Sequence, residues 1–197
     1  MKLHDKQFYK ENYDNFSYQK AQIERHKAKY MKERGYDHYA KCSEHIIDLI
    51  HNDSYMVCMG TRNNHERNVF GKLLSPKNVK VYSLDISELS KADYIMDFNH
   101  MPKEWDNKWD ILFSNSLDHA ADSTSVFYKW LGIVKKGGIM VLGFDIKTPE
   151  AIEVVGSADC CSFDAEMADA FMKSRNEKFE FINCFENSYI YYVLIKK

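Results

Sequence analysis

The chain has 197 residues, enough for one domain with a sizeable core and a short extension. Its charged fraction of 28% and hydrophobic fraction of 45% are ordinary for a soluble globular protein. A formal net charge of −2 removes any global electrostatic case for nucleic acid. No apolar run approaches the roughly 20 residues needed to span a bilayer. The N-terminus, MKLHDKQFYKENYDNFSYQK, lacks an apolar signal core, so a cytoplasmic protein without membrane contact is expected. The five cysteines are odd in number and contain no C-x-x-C, which suggests neither a disulfide framework nor a zinc site. The vicinal pair Cys160-Cys161 reads as two small loop residues.

Residues 1 to about 15 are polar and aromatic without period. Phe16 to Arg34 is rich in helix formers, and Gly35 is a stop signal. Residues 1–36 thus read as a helical extension, with a lid as one role, ahead of a domain over 37–197. A helix is predicted over Asp37 to Ile50, with Ala40, Ile46, Ile47 and Ile50 along one side. Alternation then begins. SYMVCMG (54–60) is a strand and its turn, HERNVFGKLL (65–74) a helix ended by Pro76, and VKVYSLD (79–85) a strand. YIMDF (94–98) is a brief strand and WDILFSN (109–115) another. Ser123 to Lys135 is a helix with Val126, Phe127, Trp130, Leu131 and Val134 on one face. Gly137-Gly138 turns the chain into the strand GIMVLGF (138–144). A helix over about Phe163 to Ser174 precedes an antiparallel hairpin, KFEFINCFE (178–186) and SYIYYVLIK (188–196), around Asn187. This order predicts an α/β three-layer sandwich: a mostly parallel twisted sheet with helices on both faces and a C-terminal antiparallel hairpin.

Open α/β sheets bind ligands outside the carboxyl ends of their strands. Gly60 follows the first strand, where a ligand backbone needs close approach. Asn63 and Asn64 tolerate left-handed backbone better than most residues. Asp85 ends the second strand 25 residues beyond Gly60, near the separation expected of a ribose-binding carboxylate. Asp97-Phe98, placed at the end of the third strand, pairs an acceptor with an aromatic wall for an adenine.

At these residues the chain resembles the class I S-adenosylmethionine-dependent methyltransferases, of the small-molecule type with one Rossmann-like domain. The resemblance covers roughly residues 40 to 145. The family's acidic-x-Gly-x-Gly-x-Gly motif falls on Cys58 through Asn64. Its acidic residue after strand two falls on Asp85, and its Asp with a Leu-Pro-type turn on Asp97 through Met101-Pro102. Its Phe-Asp-hydrophobic run ending in Leu-x-His falls on Trp109 through His119, and its Leu-Lys-Pro-Gly-Gly run on Val134 through Gly138. The resemblance implies methyl transfer from S-adenosyl-L-methionine, with S-adenosyl-L-homocysteine as product, to a small molecule, sugar or metabolite. It implies a cofactor site of Met59, Gly60, Thr61, Arg62, Asn63, Asp85, Ile86, Asp97, Phe98 and Asn115.

The chain also departs from the pattern. Cys58 replaces the acidic residue, and Arg62 and Asn64 stand where two glycines are expected. Arg62 either pairs with the cofactor's carboxylate, a charge-assisted contact, or is a solvated loop arginine. A blocked loop would leave a degenerate, non-catalytic binding or scaffold protein. His119, an imidazole just past the fourth strand, is the candidate base with Asp118 to orient it, against a purely structural role at a helix start. Asp122 and Ser123 read as helix caps, and Glu66 as an ordinary first-turn acid. Asn115 and Ser116 line the pocket. The histidines form no metal set. The basic run Lys20, Arg25, Lys27, Lys29, Lys32, Arg34 is either a solvated face, a lid supported by Tyr18, Tyr30, Tyr36 and Tyr39, or an RNA contact. No Asn/Asp-Pro-Pro-aromatic motif follows the fourth strand, which argues against amino methylation of a flipped base.

Overall fold

The computed structural model describes residues 36–145, 165–175, 179–186 and 189–197, with residues 19, 20, 22–24 and 27. Seven strands form one sheet: β1 (Tyr55–Met59), β2 (Lys80–Asp85), β3 (Tyr94–Ile95), β4 (Trp109–Ser114), β5 (Val134–Asp145), β6 (Phe179–Glu186) and β7 (Tyr189–Lys196). Their order is β3-β2-β1-β4-β5-β7-β6. The first five strands are parallel; β7 enters antiparallel to β5 and pairs antiparallel with β6. Among the described residues, the helices that flank the sheet are α1 (Tyr36–Ile46), α2 (His65–Leu73), α3 (Ser123–Ile133) and α4 (Ala165–Lys173).

The side-chain alternation of each strand divides the core into two layers. On one face Met56, Cys58, Ile111, Phe113, Ile139 and Val141 meet Tyr39, Cys42 and Ile46 of α1 and Val69 and Phe70 of α2. On the other, Val57, Met59, Leu112, Met140 and Leu142 meet Val126, Phe127 and Trp130 of α3 and Phe171 and Met172 of α4. Each such fully buried side chain contributes about 1.5–3 kcal/mol. At the lower end of the sheet, Asp110 accepts from Tyr55 N at 2.8 Å and from Lys135 Nζ at 2.7 Å, pinning β1, β4 and β5 together. Among the described residues no helix is long and apolar enough to cross a membrane.

Several expected boundaries move. The helix predicted to Ile50 ends at Ile46 and continues as a turn. β3 stops at Ile95, because Asp97 folds back on its own backbone and accepts from Asn99 N at 2.9 Å. The helix predicted to Lys135 ends at Ile133, and Val134 already pairs with Trp109. Gly137-Gly138 therefore lies inside β5, in an irregularity of the β4–β5 register, and not ahead of it. Asp122 is the cap of α3, accepting from Thr124 N and Ser125 N, whereas Ser123 Oγ donates to Leu117 O at 3.0 Å. Of the N-terminal extension, the described residues are helical. Its Lys27 pairs with Glu24 at 2.8 Å, both side chains more than half exposed. Residues 1–15, Tyr18, Arg25, Lys29, Tyr30, Lys32, Arg34, Cys160-Cys161 and Phe163 lie outside the described residues.

Candidate functional site

The turn from β1 to α2 is built on three left-handed residues, Gly60 at φ 73°, Arg62 at 48° and Asn64 at 61°. These are the three places where the motif has glycine. A left-handed residue bearing a Cβ costs about 1–2 kcal/mol, so the shape needs support, and hydrogen bonds supply it. Gly60 N donates to Leu84 O at 2.8 Å and Arg62 N to Asp85 Oδ2 at 2.8 Å. The Asn64 side chain donates to Lys91 O at 2.7 Å and accepts from Thr61 Oγ1 at 3.3 Å. Asn63 Oδ1 accepts from His65 N at 3.3 Å, satisfying an amide at the start of α2.

Asp85 closes β2 with its carboxylate toward this turn. It is 5% exposed, and its second oxygen accepts from Ser87 N at 2.8 Å. A carboxylate offers about four lone-pair directions, so accepting two amides is compatible with binding a vicinal diol. Ile86 beside it is half-buried, and Met59 and Thr61 are buried, Met59 with its side chain in the core. Phe98 stands edge-on to Trp130 with ring centroids 5.3 Å apart, and its Cε1 lies 3.6 Å from the place of a Cβ on Gly60. Phe98 thus borders the turn although it lies beyond β3. Asp97 accepts from Gln19 Nε2 of the N-terminal helix and faces His100 Nδ1, both at 3.4 Å.

At the tip of β4, Ser114 Oγ donates to Met59 O at 3.2 Å. Ser116 Oγ lies 3.2 Å from Asn115 Oδ1 and 3.4 Å from Gly60 O; its single proton serves one at a time. His119 ends a short 3-10 turn, Leu117–His119. Its Nε2 is 3.8 Å from Asp118 Oδ1, an ion-pair separation longer than a hydrogen bond.

Beneath this tip is a polar group the motifs do not reveal. Glu66, 9% exposed, accepts from Tyr39 Oη at 3.0 Å and from Asn115 Nδ2 at 3.5 Å. Tyr39 is fully buried against Phe70 and Phe113, in the core and not in a lid. Glu66, Val69 and Phe70 are the buried residues of α2, an i, i+3, i+4 stripe that marks Glu66 as inward-facing. Burial first, then the Glu66 charge and Cys42, push the Cys58 thiol well above its ordinary range, and burial pushes Cys42 up to about 12. Both thiols are therefore poor nucleophiles.

No family model matches the chain, and no curated protein matches it in sequence. Solved structures do match in fold. The Burkholderia thailandensis 1,6-didemethyltoxoflavin-N1-methyltransferase, with bound 1,6-didemethyltoxoflavin and S-adenosylhomocysteine, is similar over 93% of this chain and 91% of its own, with a TM-score of 0.66 at 7% identity. The Haloferax volcanii chain assigned as a methyltransferase, in complex with the Trm112 methyltransferase activator, is similar over 91% of this chain and 97% of its own, with a TM-score of 0.62 at 15% identity. The cyclase SpnF is similar over 74% of this chain and 58% of its own, with a TM-score of 0.56 at 12% identity. The fold is that of the class I, Rossmann-like, S-adenosylmethionine-dependent methyltransferases. A cyclase on the same scaffold illustrates that this fold does not by itself fix a reaction.

Proposed function

We propose that this chain is an S-adenosylmethionine-dependent methyltransferase acting on a small-molecule acceptor. The observation that carries this reading is the turn after β1. It keeps the left-handed backbone at positions 60, 62 and 64 although only Gly60 is a glycine, and it is clamped to the Asp85 carboxylate at the tip of β2. A decayed loop has no reason to keep that shape against its local cost.

The residues present fit the cofactor. Asp85 has acceptor capacity for the ribose hydroxyls, the Gly60 turn for close backbone approach, and Phe98 with Asp97 for the adenine end. Met59, Thr61, Arg62, Asn63, Ile86 and Asn115 complete the binding set. Bound S-adenosylmethionine supplies a methyl group already activated for in-line displacement. What the chain adds is orientation, which supplies roughly 7–11 kcal/mol in well-aligned reactions. Asn115 and Ser116 face the acceptor side, and His119 takes a proton from an acceptor that must lose one, a contribution of about 10²–10⁴-fold. Asp118, with its Oδ1 3.8 Å from the imidazole Nε2, orients it.

Calorimetry with S-adenosylmethionine and S-adenosylhomocysteine tests the reading. Binding of both is expected, with Asp85→Asn weakening it at least about tenfold, the loss of one charge-assisted contact. Absence of heat at millimolar ligand would leave the scaffold alternative standing. Asp85→Asn also disturbs the Arg62 and Ser87 amides, so a drop of about 1–3 kcal/mol in stability is expected alongside.

A further inference from the structure

The Asp97 carboxylate, assigned above to the adenine end, is already fully engaged. Its Oδ1 accepts from Asn99 N at 2.9 Å and from Asn99 Nδ2 at 2.6 Å. Its Oδ2 accepts from Gln19 Nε2 and faces His100 Nδ1, both at 3.4 Å. A carboxylate has about four lone-pair directions, so an incoming exocyclic amine finds none of them open. Asn99 and His100 follow Asp97 directly in the same loop and stay with it. Gln19 comes from the N-terminal helix, 78 residues away, and leaves with that helix. We propose that Gln19 is an internal stand-in for the adenine amine: its carboxamide nitrogen occupies the Asp97 oxygen that the base requires, and nucleoside binding displaces the N-terminal helix from this seat.

Position supports the assignment. Phe98, the residue after Asp97, has its Cε1 3.6 Å from the place of a Cβ on Gly60, so the seat of Gln19 adjoins the turn that a cofactor must approach. The composition of the helix supports it too. Among its described residues Gln19, Gln22 and Ile23 are half-buried, while Lys20, Glu24 and Lys27 are exposed. That is an i, i+3, i+4 inner stripe, yet two of its three side chains are amides. An amide that exchanges water for a protein partner gains little net free energy, whereas apolar burial is the dominant favourable term in docking. The contact with Asp97 therefore sets where the helix rests without holding it there firmly. A ligand that needs the same oxygen binds in proportion to the fraction of chains in which that oxygen is free. The helix is then an occupant to be expelled, the reverse of a lid that shuts over a bound ligand.

This inference rests on the proposed use of S-adenosylmethionine, and the outcomes separate the two. The probes are S-adenosylhomocysteine and its purine analogue, in which hydrogen replaces the exocyclic amine. The full chain and its Gln19→Ala variant are titrated with each by calorimetry. Gln19→Ala is expected to tighten S-adenosylhomocysteine about threefold to tenfold, the gain from removing one competing hydrogen bond, and to leave the purine analogue within about twofold. Equal gain for both ligands would mean that the helix crowds the base without competing for Asp97. Weaker binding of S-adenosylhomocysteine would make Gln19 part of a site that closes on its ligand. Either result overturns the inference, as does unchanged affinity. A second measurement needs no variant. In the native chain S-adenosylhomocysteine is expected to speed tryptic cleavage after the exposed Lys20 and Lys27 by about threefold or more, because a helix out of its seat is open to local unfolding. Slower or unchanged cleavage with ligand bound overturns the inference and leaves the methyltransferase reading intact. If neither ligand binds the native chain or Gln19→Ala, that reading itself fails, and this inference with it.

Discussion

The turn after β1 and the stretch from Lys135 to Gly138 answer the family pattern in opposite ways. The turn has lost two glycines and kept its shape, with Arg62 and Asn64 left-handed beside Gly60. The second stretch has kept its Gly-Gly pair and changed its place. Trp109 pairs with Val134 and Ile111 with Ile139, so the glycines lie within β5 where extra residues bulge from the ladder. The difference separates two ways of holding an unusual backbone. At positions 62 and 64 hydrogen bonds to Asp85 and Lys91 hold it, and the residue type is free to change. At Gly138 a Cβ would meet the backbone oxygens of Asp110 at 2.8 Å and Lys135 at 2.9 Å, so space is the constraint.

Gly60 combines both constraints and gives the largest expected effect. Its φ is +73°, and a Cβ there would meet Ser116 Oγ at 2.7 Å and Ser116 Cβ at 2.8 Å. Gly60→Ala is expected to cost about 3 kcal/mol, from left-handed backbone and overpacking together. It should appear as a lower urea midpoint at unchanged slope. A loss under about 1 kcal/mol would mean that the turn and the tip of β4 move apart freely, and that the crevice is soft.

The Gly-Gly pair offers an internal control. Gly138→Ala is expected to cost about 2 kcal/mol, because two backbone oxygens block the methyl group and neither can rotate away. Gly137→Ala meets nothing within 4 Å and bears only the strain of φ +74°, about 1 kcal/mol. Thermal or urea unfolding of the two variants side by side decides the matter. Should Gly137→Ala prove the worse, backbone conformation and not crowding is what the pair contributes to the bulge.

The same contrast explains what the sequence let one read. The succession of strands and helices, the position of Asp85 and the turn at Gly60 were legible, because each rests on local pattern: apolar runs, a strand-ending acid and a glycine. The end of β3 was not. YIMDF continues an apolar run, but the Asp97 carboxylate captures Asn99 N and diverts the chain after Ile95. Competition of Asp side chains with the ladder is a local effect that propensity counts poorly. Tyr39 was open to a lid reading because its partners Glu66, Phe70 and Phe113 are all remote in sequence. Glu66 itself left a trace, its spacing to Val69 and Phe70, which the usual reading of a first-turn acid obscured. The contact between Glu66 and Asn115 left none, since only the β1–β4 pairing brings them together.

Arg62→Gly is the mildest change and the one that most sharpens the comparison. Glycine removes the left-handed strain at φ 48° but adds freedom to the unfolded chain, so a net change within about 1 kcal/mol is expected, toward greater stability. Its value lies in a second reading, the affinity for S-adenosylhomocysteine. The Arg62 amide that meets Asp85 survives the substitution, so the turn keeps its clamp. A fall of tenfold or more would then belong to the guanidinium, as expected for a charge-assisted contact with the cofactor's carboxylate. A rise would belong to relief of crowding and would show that the side chain narrows the crevice. Affinity unchanged within twofold would leave Arg62 with a backbone role alone, the shape of the turn being held by Asp85.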